Sequence, residues 1–293
     1  MVFINTEGKV NANTYLIDAW LFRIPHQMSL YVIENNDVRM LIDTGSALGA
    51  SEIFRKLKEF NLLPIQKLLL THSHWDHTQG CERLKKKIGD FEILASEKAI
   101  DNLKYPGRLN DVFGYRVKPI ENVTPLKEGD IINLGGLELE VFDFFGHTQD
   151  SIALLDRKNS NIFVGDAIIS MKDHETFSPI FMPPDYNESE LLKTFQKLRN
   201  LKKDLNSISL DHFGVWKDDD FNLILEKMEE IHLKTKKAMI EWYSENPDIG
   251  YITRKYHETF IPNSTMITKA NIIDLELPIS WLIKGLKISG SIK

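Results

Sequence analysis

Apolar residues are arranged in two alternating patterns along most of this chain. Short apolar segments bounded by polar turns predict strands, and apolar residues at helical spacing predict helices. An Asn-Asn-Asp sequence at 35–37 predicts a hairpin turn between the second and third strands. Strands are predicted at 11–20, 29–36, 37–45, 66–71, 91–96, 130–146, 151–158, 161–169 and 205–214. Helices are predicted at 49–64, 81–89, 97–107, 187–201 and 218–246.

The order of these elements predicts an α/β fold followed by a helical extension. Strands and helices alternate up to about residue 215, where 205–214 is expected to be the last core strand. After residue 218 the pattern is mostly helical. We therefore predict two parts, a domain at 1–216 and a helical C-terminal extension at 217–293.

Composition narrows the range of functions. The 293 residues carry a net charge of −6, which disfavours a broad phosphate-binding face and hence a nucleic-acid partner. The single cysteine, Cys81, cannot form a disulfide within the chain, which fits a reducing interior. No signal-peptide pattern and no apolar run of about 18 residues is present. We expect a cytoplasmic protein without a membrane anchor.

A cluster of metal-binding residue types directly follows the apolar strand at 66–71. His72, His74, Asp76 and His77 occur within six residues in "THSHWDHTQG". Side chains at i and i+2 of an extended segment point the same way, so His72 and His74 can hold one ion. Asp76 and His77 can turn toward a second ion. Imidazole and carboxylate ligands suit zinc, iron or manganese.

The sequence "HSHWDH" resembles the H-x-H-x-D-H signature of the metallo-β-lactamase superfamily, an αββα sandwich. The resemblance extends to the later positions where that family places metal ligands. "FFGHTQDS" contains His147, "IFVGDAII" contains Asp166 and "SISLDHFG" contains His212. "LIDTG" contains Asp43 at a further expected position. These motifs cover roughly residues 10–215.

The resemblance implies a dinuclear metal centre. His72, His74 and His147 would hold the first ion, and Asp76, His77 and His212 the second. Asp166 would bridge the two ions, and Asp43 would orient a ligand from behind. The resemblance implies two divalent ions, with zinc expected and iron or manganese as alternatives. A bridging hydroxide, oriented by the catalytic residue Asp76, would cleave a small ester, thioester or lactone.

Other branches of the family give alternative hypotheses. True β-lactamases usually lack the bridging aspartate, so Asp166 disfavours them. Lactonases often have tyrosine three residues past it, where this chain has Ile169. The motif most resembles glyoxalase II-like thioesterases. A mononuclear iron persulfide dioxygenase is the main alternative, followed by a phosphodiesterase or nuclease and a non-catalytic binding module.

Two long segments between the ligand motifs, 102–119 and 170–187, are predicted to select a small-molecule acyl substrate. Their aromatic and basic residues supply pocket candidates, and Arg108 is a bidentate partner for an anionic group. Outside the motif, His26, His174, His232 and His257 are expected to be ordinary side chains without a role in the metal site. His232 is expected on the surface of a helix, and His174 is the one that could reach the mouth of the site. Cys81 is expected to be packed. The helical extension could cap the pocket or form a homodimer. The substrate-binding candidates are Tyr105, Arg108, Phe113, Tyr115, His174, Phe177, Phe181, Met182 and Tyr186.

Overall fold

The computed structural model describes residues 2–292, and within them sixteen strands form two large sheets and a separate hairpin. The strands are β1 (Val2–Ile4), β2 (Gly8–Lys9), β3 (Thr14–Asp18), β4 (Ser29–Asn35), β5 (Val38–Ile42), β6 (Lys67–Leu70), β7 (Glu92–Ser96), β8 (Val123–Leu126), β9 (Ile131–Leu134), β10 (Leu137–Asp143), β11 (Ile152–Asp156), β12 (Asn161–Phe163), β13 (Ser170–Asp173), β14 (Thr176–Ser178), β15 (Ser207–Ser209) and β16 (Val215–Lys217).

The α-helices lie between and after these strands. They are α1 (Ala50–Glu59), α2 (Trp75–Thr78), α3 (Cys81–Ile88), α4 (Ile100–Lys104), α5 (Gly107–Phe113), α6 (Glu188–Leu201), α7 (Asp218–Glu245), α8 (Ile249–Phe260) and α9 (Glu276–Ile288). Short 3-10 turns occupy Leu21–Arg23, Glu97–Ala99, Lys202–Asp204 and Ile272–Leu275.

Each large sheet has seven strands. The order is β2-β3-β4-β5-β6-β7-β8 in the first sheet and β1-β16-β15-β12-β11-β10-β9 in the second. The strands from β5 to β8 are parallel, as are β12 and β15, and the other pairs in these sheets are antiparallel. β13 and β14 form the separate hairpin.

The sheets pack face to face, and helices cover their outer faces. In β6, Leu69 joins the apolar cluster between the sheets, whereas Leu68 and Leu70 pack with residues of α1 and α3. In β11, Ile152 faces the same central cluster, and Ala153 packs under the later helices. A strand buried on both faces is apolar throughout, which explains the continuous leucine run. The αββα sandwich predicted from the sequence is confirmed.

The C-terminal helices are part of this packing. Residues of α7, α8 and α9 share one apolar cluster with β11, β12 and α6. In α9, Leu282 belongs to that cluster, while Trp281 joins the cluster on the other side of the sandwich. The division at 216/217 stays a prediction. Among residues 2–292, none of the helices is both long and apolar enough to cross a membrane.

Several elements differ from the sequence-based prediction. The strand at 205–214 is not the last in the core, because β16 follows it and pairs with both β15 and β1. The segment 102–119 contains α5, and the segment 170–187 contains the β13–β14 hairpin. The turn predicted at 35–37 is confirmed, with positive φ at Asn36 and Asp37. The predicted long helix after residue 218 is confirmed as α7.

Candidate metal centre

The loop that leaves β6 carries the first four candidate ligands at the carboxyl end of a parallel strand. Such ends are where α/β sheets bind ligands. His72, His74 and His77 are buried, and Asp76 is largely buried. The chain is extended at His74 and then enters the short helix α2, which turns Asp76 and His77 back toward the loop. The ring centroids of His72 and His74 lie 4.7 Å apart. The two side chains therefore point to the same place, as predicted.

Three later loops bring the remaining candidate ligands to the same place. His147 follows β10, Asp166 follows β12 and His212 follows β15. Asp166 Oδ2 lies 3.4 Å from Nε2 of both His77 and His212, and 3.7 Å from His147 Nε2. His147 Nε2 lies 3.0 Å from His74 Nδ1. Asp166 therefore stands between the two histidine sets.

The ligand atoms fall into overlapping groups whose members lie within 4.8 Å of one another. Two groups contain the residues predicted for the two ion sites, whereas Asp166 groups with one histidine from each site. The groups are His72, His74 and His147; His72, His77 and Asp166; Asp76, His77 and His212; and Asp43, His77 and Asp211.

A glycine permits the close approach of two of these loops. Gly165 has a φ of +54°, which disfavours other residues. A Cβ at Gly165 would lie 2.9 Å from the Cβ of Thr71. The glycine therefore lets the loop bearing Asp166 pack directly on the loop that begins with His72.

Backbone carbonyls fix the orientation of two imidazoles. His147 Nδ1 is 2.9 Å from the carbonyl oxygen of Ile180, and His212 Nδ1 is 2.7 Å from that of Gln27. In a neutral imidazole, an Nδ1–H that donates to a carbonyl leaves Nε2 unprotonated and able to bind a cation. Both Nε2 atoms face Asp166.

Asp43 orients His77 in the same way. Its carboxylate accepts hydrogen bonds from the Thr71 N–H at 2.8 Å and the Thr71 hydroxyl at 2.7 Å. His77 Nδ1 lies 2.8 Å from Asp43 Oδ2. Asp43 has a φ of 60°, a backbone conformation that aspartate tolerates better than most residues. This position, directly behind a candidate ligand, fits the role that the resemblance implied.

Asp211 was not predicted from the sequence. This buried carboxyl lies 3.3 Å from His77 Nδ1 and groups with Asp43 and His77. Burial raises its pKa well above the usual range, and the neighbouring Asp43 raises the pKa further. The available signal was its position directly before His212, in the turn that follows β15.

Burial and the neighbouring charges determine the protonation of the cluster. Burial lowers the pKa of the His72, His74 and His147 imidazoles. Burial favours the neutral form of Asp166, but the cationic forms of His212 and His77 outweigh it and hold the Asp166 pKa well below its usual range. Burial opposes protonation of His77 and His212, but Asp166 and the other nearby carboxylates raise the pKa of both, to about 10 for His212. Divalent cations bind neutral imidazoles, so these two residues must lose a proton when a cation binds.

The unsatisfied atoms of the cluster fit metal ions. Nε2 of His72, His74 and His77 and Oδ1 of Asp166 are buried without a hydrogen-bond partner in the described chain. Leaving such an atom unpaired costs about 1–3 kcal/mol, so four at one point imply a missing partner. A cation satisfies lone pairs that face one another, and this donor set suits zinc, iron or manganese.

The cluster forms the floor of a cleft with about 890 Å³ of empty space, part of it open to solvent. Its wall is largely apolar and aromatic. The ring centroids of Phe113 and Trp281 are 5.4 Å apart, and those of Phe22 and Trp75 are 5.7 Å apart. Helix α9 supplies Trp281, so the C-terminal helices help to build the cleft.

Most of the predicted substrate-binding aromatic residues do not line this cleft. Phe113 and Met182 line it. Tyr105 is mostly exposed, and Tyr115 stacks on the outer ring face of Trp75 at 3.8 Å between centroids. Three other candidates pack in the apolar cluster beneath the C-terminal helices, namely Phe177, Phe181 and Tyr186.

The two polar candidates also lie outside the cleft lining. Arg108 donates to both carboxylate oxygens of Asp185, at 2.8 and 2.6 Å. Its bidentate partner is therefore within the chain, contrary to the expected contact with an anionic substrate group. His174 lies 3.0 Å from Asp220 and packs beside Trp216.

The prediction for His232 was wrong. This residue lies in α7 as expected, but it is fully buried, with Nε2 3.1 Å from the hydroxyl of Tyr186. His257 is buried beside the Ile267 carbonyl, and His26 is exposed against Phe213. Cys81 is buried at the start of α3, so its predicted packing role is confirmed.

An αββα sandwich with a histidine–aspartate cluster on its strand-end loops defines a class of metal-binding proteins. The sequence profile of the metallo-beta-lactamase superfamily matches residues 23–209. This chain belongs to the metallo-beta-lactamase superfamily.

Curated relatives match part of the chain. A probable metallo-hydrolase of Streptococcus pyogenes is 30% identical over 145 residues, covering 47% of this chain and 60% of that protein. A hydroxyacylglutathione hydrolase of Hahella chejuensis is 32% identical over 133 residues, covering 44% and 42% respectively. The human acyl-coenzyme A thioesterase MBLAC2 is 25% identical over 166 residues, covering 49% and 59%. The matches therefore span between 42% and 60% of these relatives' lengths.

A solved structure matches nearly the whole chain. A metallo-beta-lactamase family protein of Thermus thermophilus superposes with a TM-score of 0.69 at 16% identity. The superposition covers 97% of this chain and 95% of that one. At this identity the likeness establishes the fold, including the helices that follow the second sheet.

Proposed function

We propose that this protein is a metal-dependent hydrolase that cleaves a small ester, thioester or lactone. The observation that carries the proposal is the convergence of unpaired imidazole nitrogens and a carboxylate at the floor of an apolar cleft. A concave site with an apolar wall and a few convergent polar groups is the usual form of a small-molecule site. The names of the relatives, a probable metallo-hydrolase, a hydroxyacylglutathione hydrolase and an acyl-coenzyme A thioesterase, support the same class.

Two divalent ions, with zinc as the expected metal, would occupy the cluster. His72, His74 and His147 would hold one ion, Asp76, His77 and His212 the other, and Asp166 both. When bound, such ions supply Lewis acidity that polarises a carbonyl and makes water nucleophilic at neutral pH.

The catalytic role of the chain itself falls to Asp76. Its carboxylate lies 3.5 Å from His212 Nε2 and 3.9 Å from His77 Nε2, at the floor of the cleft. Burial opposes ionisation, but those imidazoles together hold the Asp76 pKa below its usual value. An ionised Asp76 can orient a water molecule and accept its proton at a carboxylate oxygen as the water attacks.

The cleft favours carbonyl substrates over nucleic acids. A polynucleotide needs several lysine or arginine contacts along its backbone. Among the described lining residues, Lys172 is the one lysine or arginine, and aromatic and aliphatic side chains form most of the wall.

A substrate panel on protein loaded with zinc tests the proposal. Aryl esters, aryl thioesters and lactones are compared with bis(4-nitrophenyl) phosphate and RNA. We expect hydrolysis of at least one carbonyl class, reduced at least 100-fold in Asp76→Asn but unchanged in the exposed matched control Asp111→Asn. Faster cleavage of the phosphodiesters than of every carbonyl substrate would refute the proposal. A stable content of one iron, with oxygen consumption on persulfides, would replace it with a dioxygenase.

A further inference from the structure

The β13–β14 hairpin places a lysine in the wall of the cleft. Lys172 lies on β13 and lines the cleft together with Ser170 and Ser178 of the same hairpin. The Lys172 ammonium hydrogen-bonds the side-chain oxygen of Gln27. Within residues 2–292, no carboxylate oxygen lies within 4.0 Å of the Lys172 Nζ atom. This amine therefore faces the cleft without an anionic partner.

Two other partly buried lysines have such partners, whereas Lys217 and Lys284 donate to backbone carbonyls. Lys236 lies 2.7 Å from Glu188, and Lys56 forms an ion pair with Glu7 at 2.6 Å. Burial lowers the pKa of Lys172 to about 8, against the opposing effect of Asp173. The side chain is still mainly cationic at neutral pH. An unpaired cation in a low-polarity cleft is unfavourable unless a ligand supplies the opposite charge.

The position of Lys172 relates it to the scissile bond. Gln27 accepts from the Lys172 ammonium with its side chain and from His212 Nδ1 with its backbone carbonyl. Lys172 is therefore separated from the candidate metal ligand His212 by one residue. A substrate whose scissile carbonyl lies at the histidine–aspartate cluster can contact Lys172 through a second polar group, if a short chain joins the two groups.

We propose that Lys172 is a specificity-determining residue that binds a carboxylate on the substrate, at the other end from the scissile carbonyl. The substrate class is a short acyl compound that carries one free carboxylate, such as a monothioester of a dicarboxylic acid. Its methylene chain lies against the apolar wall. This inference rests on the proposed hydrolase function and specifies its substrate.

A matched pair of thioesters tests the role of Lys172. The S-phenyl thioesters of glutaric and pentanoic acid have acyl chains of equal carbon number and differ in the free carboxylate. We expect the wild type to prefer the glutaryl thioester by roughly 10- to 100-fold in kcat/KM, the range of a charge-assisted hydrogen bond. Lys172→Met should abolish the preference by raising KM for the glutaryl thioester alone. Lys172→Arg should restore most of the preference.

The control separates recognition from positioning. The exposed Lys269→Met variant makes the same chemical change and should retain the preference. Lys172 could instead act through Gln27 on the orientation of His212. In that case Lys172→Met would lower kcat for both thioesters equally, and the proposal would be overturned. Equal kcat/KM values of the wild type for the two thioesters would overturn it as well.

A binding measurement keeps the test independent of turnover. Glutarate and pentanoate are titrated into the zinc-loaded protein, with the fluorescence of the cleft tryptophans Trp75 and Trp281 as the signal. We expect at least tenfold tighter binding of glutarate by the wild type and equal binding by Lys172→Met. This result without thioester hydrolysis would support the Lys172 site and reject the hydrolase function. Hydrolysis without a glutarate preference would support the hydrolase function and reject the Lys172 site.

Discussion

Substitution of Asp43 by asparagine tests how the fold prepares the metal centre. In the wild type, the two carboxylate oxygens accept from the Thr71 N–H, the Thr71 hydroxyl and His77 Nδ1. Asparagine has one acceptor oxygen and one NH₂ donor. If its oxygen faces the Thr71 N–H, its NH₂ group faces His77 Nδ1, which must then become the unprotonated nitrogen. The proton moves to Nε2, the atom that should bind the ion.

The expected loss follows from this tautomer change. Removal of a group that orients a metal-binding histidine typically costs 10- to 100-fold in metal affinity, or about 1.4–2.7 kcal/mol. Asp43 is fully buried, so water cannot replace the lost acceptor. We therefore expect the loss of zinc affinity to be near the upper end of this range, about 100-fold. Asp43→Glu should also weaken binding, because Thr71 and His77 leave no space for a longer side chain.

Competition with a chromogenic zinc chelator measures the effect directly. The wild type, Asp43→Asn and the exposed control Asp111→Asn are compared after removal and re-addition of zinc. Circular dichroism at the same temperature confirms that each variant is folded. The orienting role of Asp43 is wrong if folded Asp43→Asn binds zinc as tightly as the wild type.

Three further predictions concern stability. Chelation of bound metal should lower Tm, by an amount equivalent to about 2.7 kcal/mol when free zinc was at 100 times Kd, and calorimetry with re-addition of zinc checks this. Gly285→Ala should lower Tm and raise KM for apolar substrates, because its Cβ would lie 2.0 Å from the Phe181 carbonyl oxygen and displace α9. In the control Gly107→Ala the Cβ has open space, so Tm and KM should stay unchanged. His232, whose Nε2 lies 3.5 Å from Glu188 Oε1, and the Lys236 ammonium at 2.7 Å from Oε2 lower the pKa of Glu188 from 4.5 to about 2. Ionised Glu188 therefore stabilises the folded state above about pH 4.5, and this stabilisation is lost as pH falls toward 2. The Tm difference between wild type and Glu188→Gln should vanish over the same pH range.

The fold and the ligand cluster were largely predictable from sequence because both depend on local patterns. The leucine run of β6 is apolar on both faces, which indicates a strand covered by another sheet and by helices. A metal site needs particular residue types at strand ends, so His147, Asp166 and His212 could be identified from their short contexts. The structure brings these residues together as the motif suggested.

The features that could not be predicted depend on tertiary contacts. β16 has three residues, too few to show an alternating pattern, and it exists through pairing with β1 and β15. The pairing of Arg108 with Asp185 joins segments 77 positions apart in the sequence. The substrate candidates were chosen by composition, and composition does not distinguish a cleft wall from a packed core.

The burial of His232 was predictable from the sequence, although the surface was expected. The buried residues Ile224, Leu225, Met228, Thr235 and Met239 of α7 recur at helical spacing. His232 falls on this stripe, four residues after a methionine and three before a threonine. The apolar periodicity of the helix therefore predicts burial, whereas residue type alone suggested the surface.

The metal stoichiometry of the wild type and of Asp166→Asn tests the central claim most directly. Asp166 lies within 3.7 Å of imidazole nitrogens from both predicted ion sites, and its negative charge would offset the repulsion between two dications. Elemental analysis of protein purified without chelator should find about two divalent ions per chain in the wild type and in Asp111→Asn, and about one or fewer in Asp166→Asn. Two ions per chain in Asp166→Asn, or a single ion in the wild type under zinc excess, would contradict a dinuclear centre bridged by Asp166.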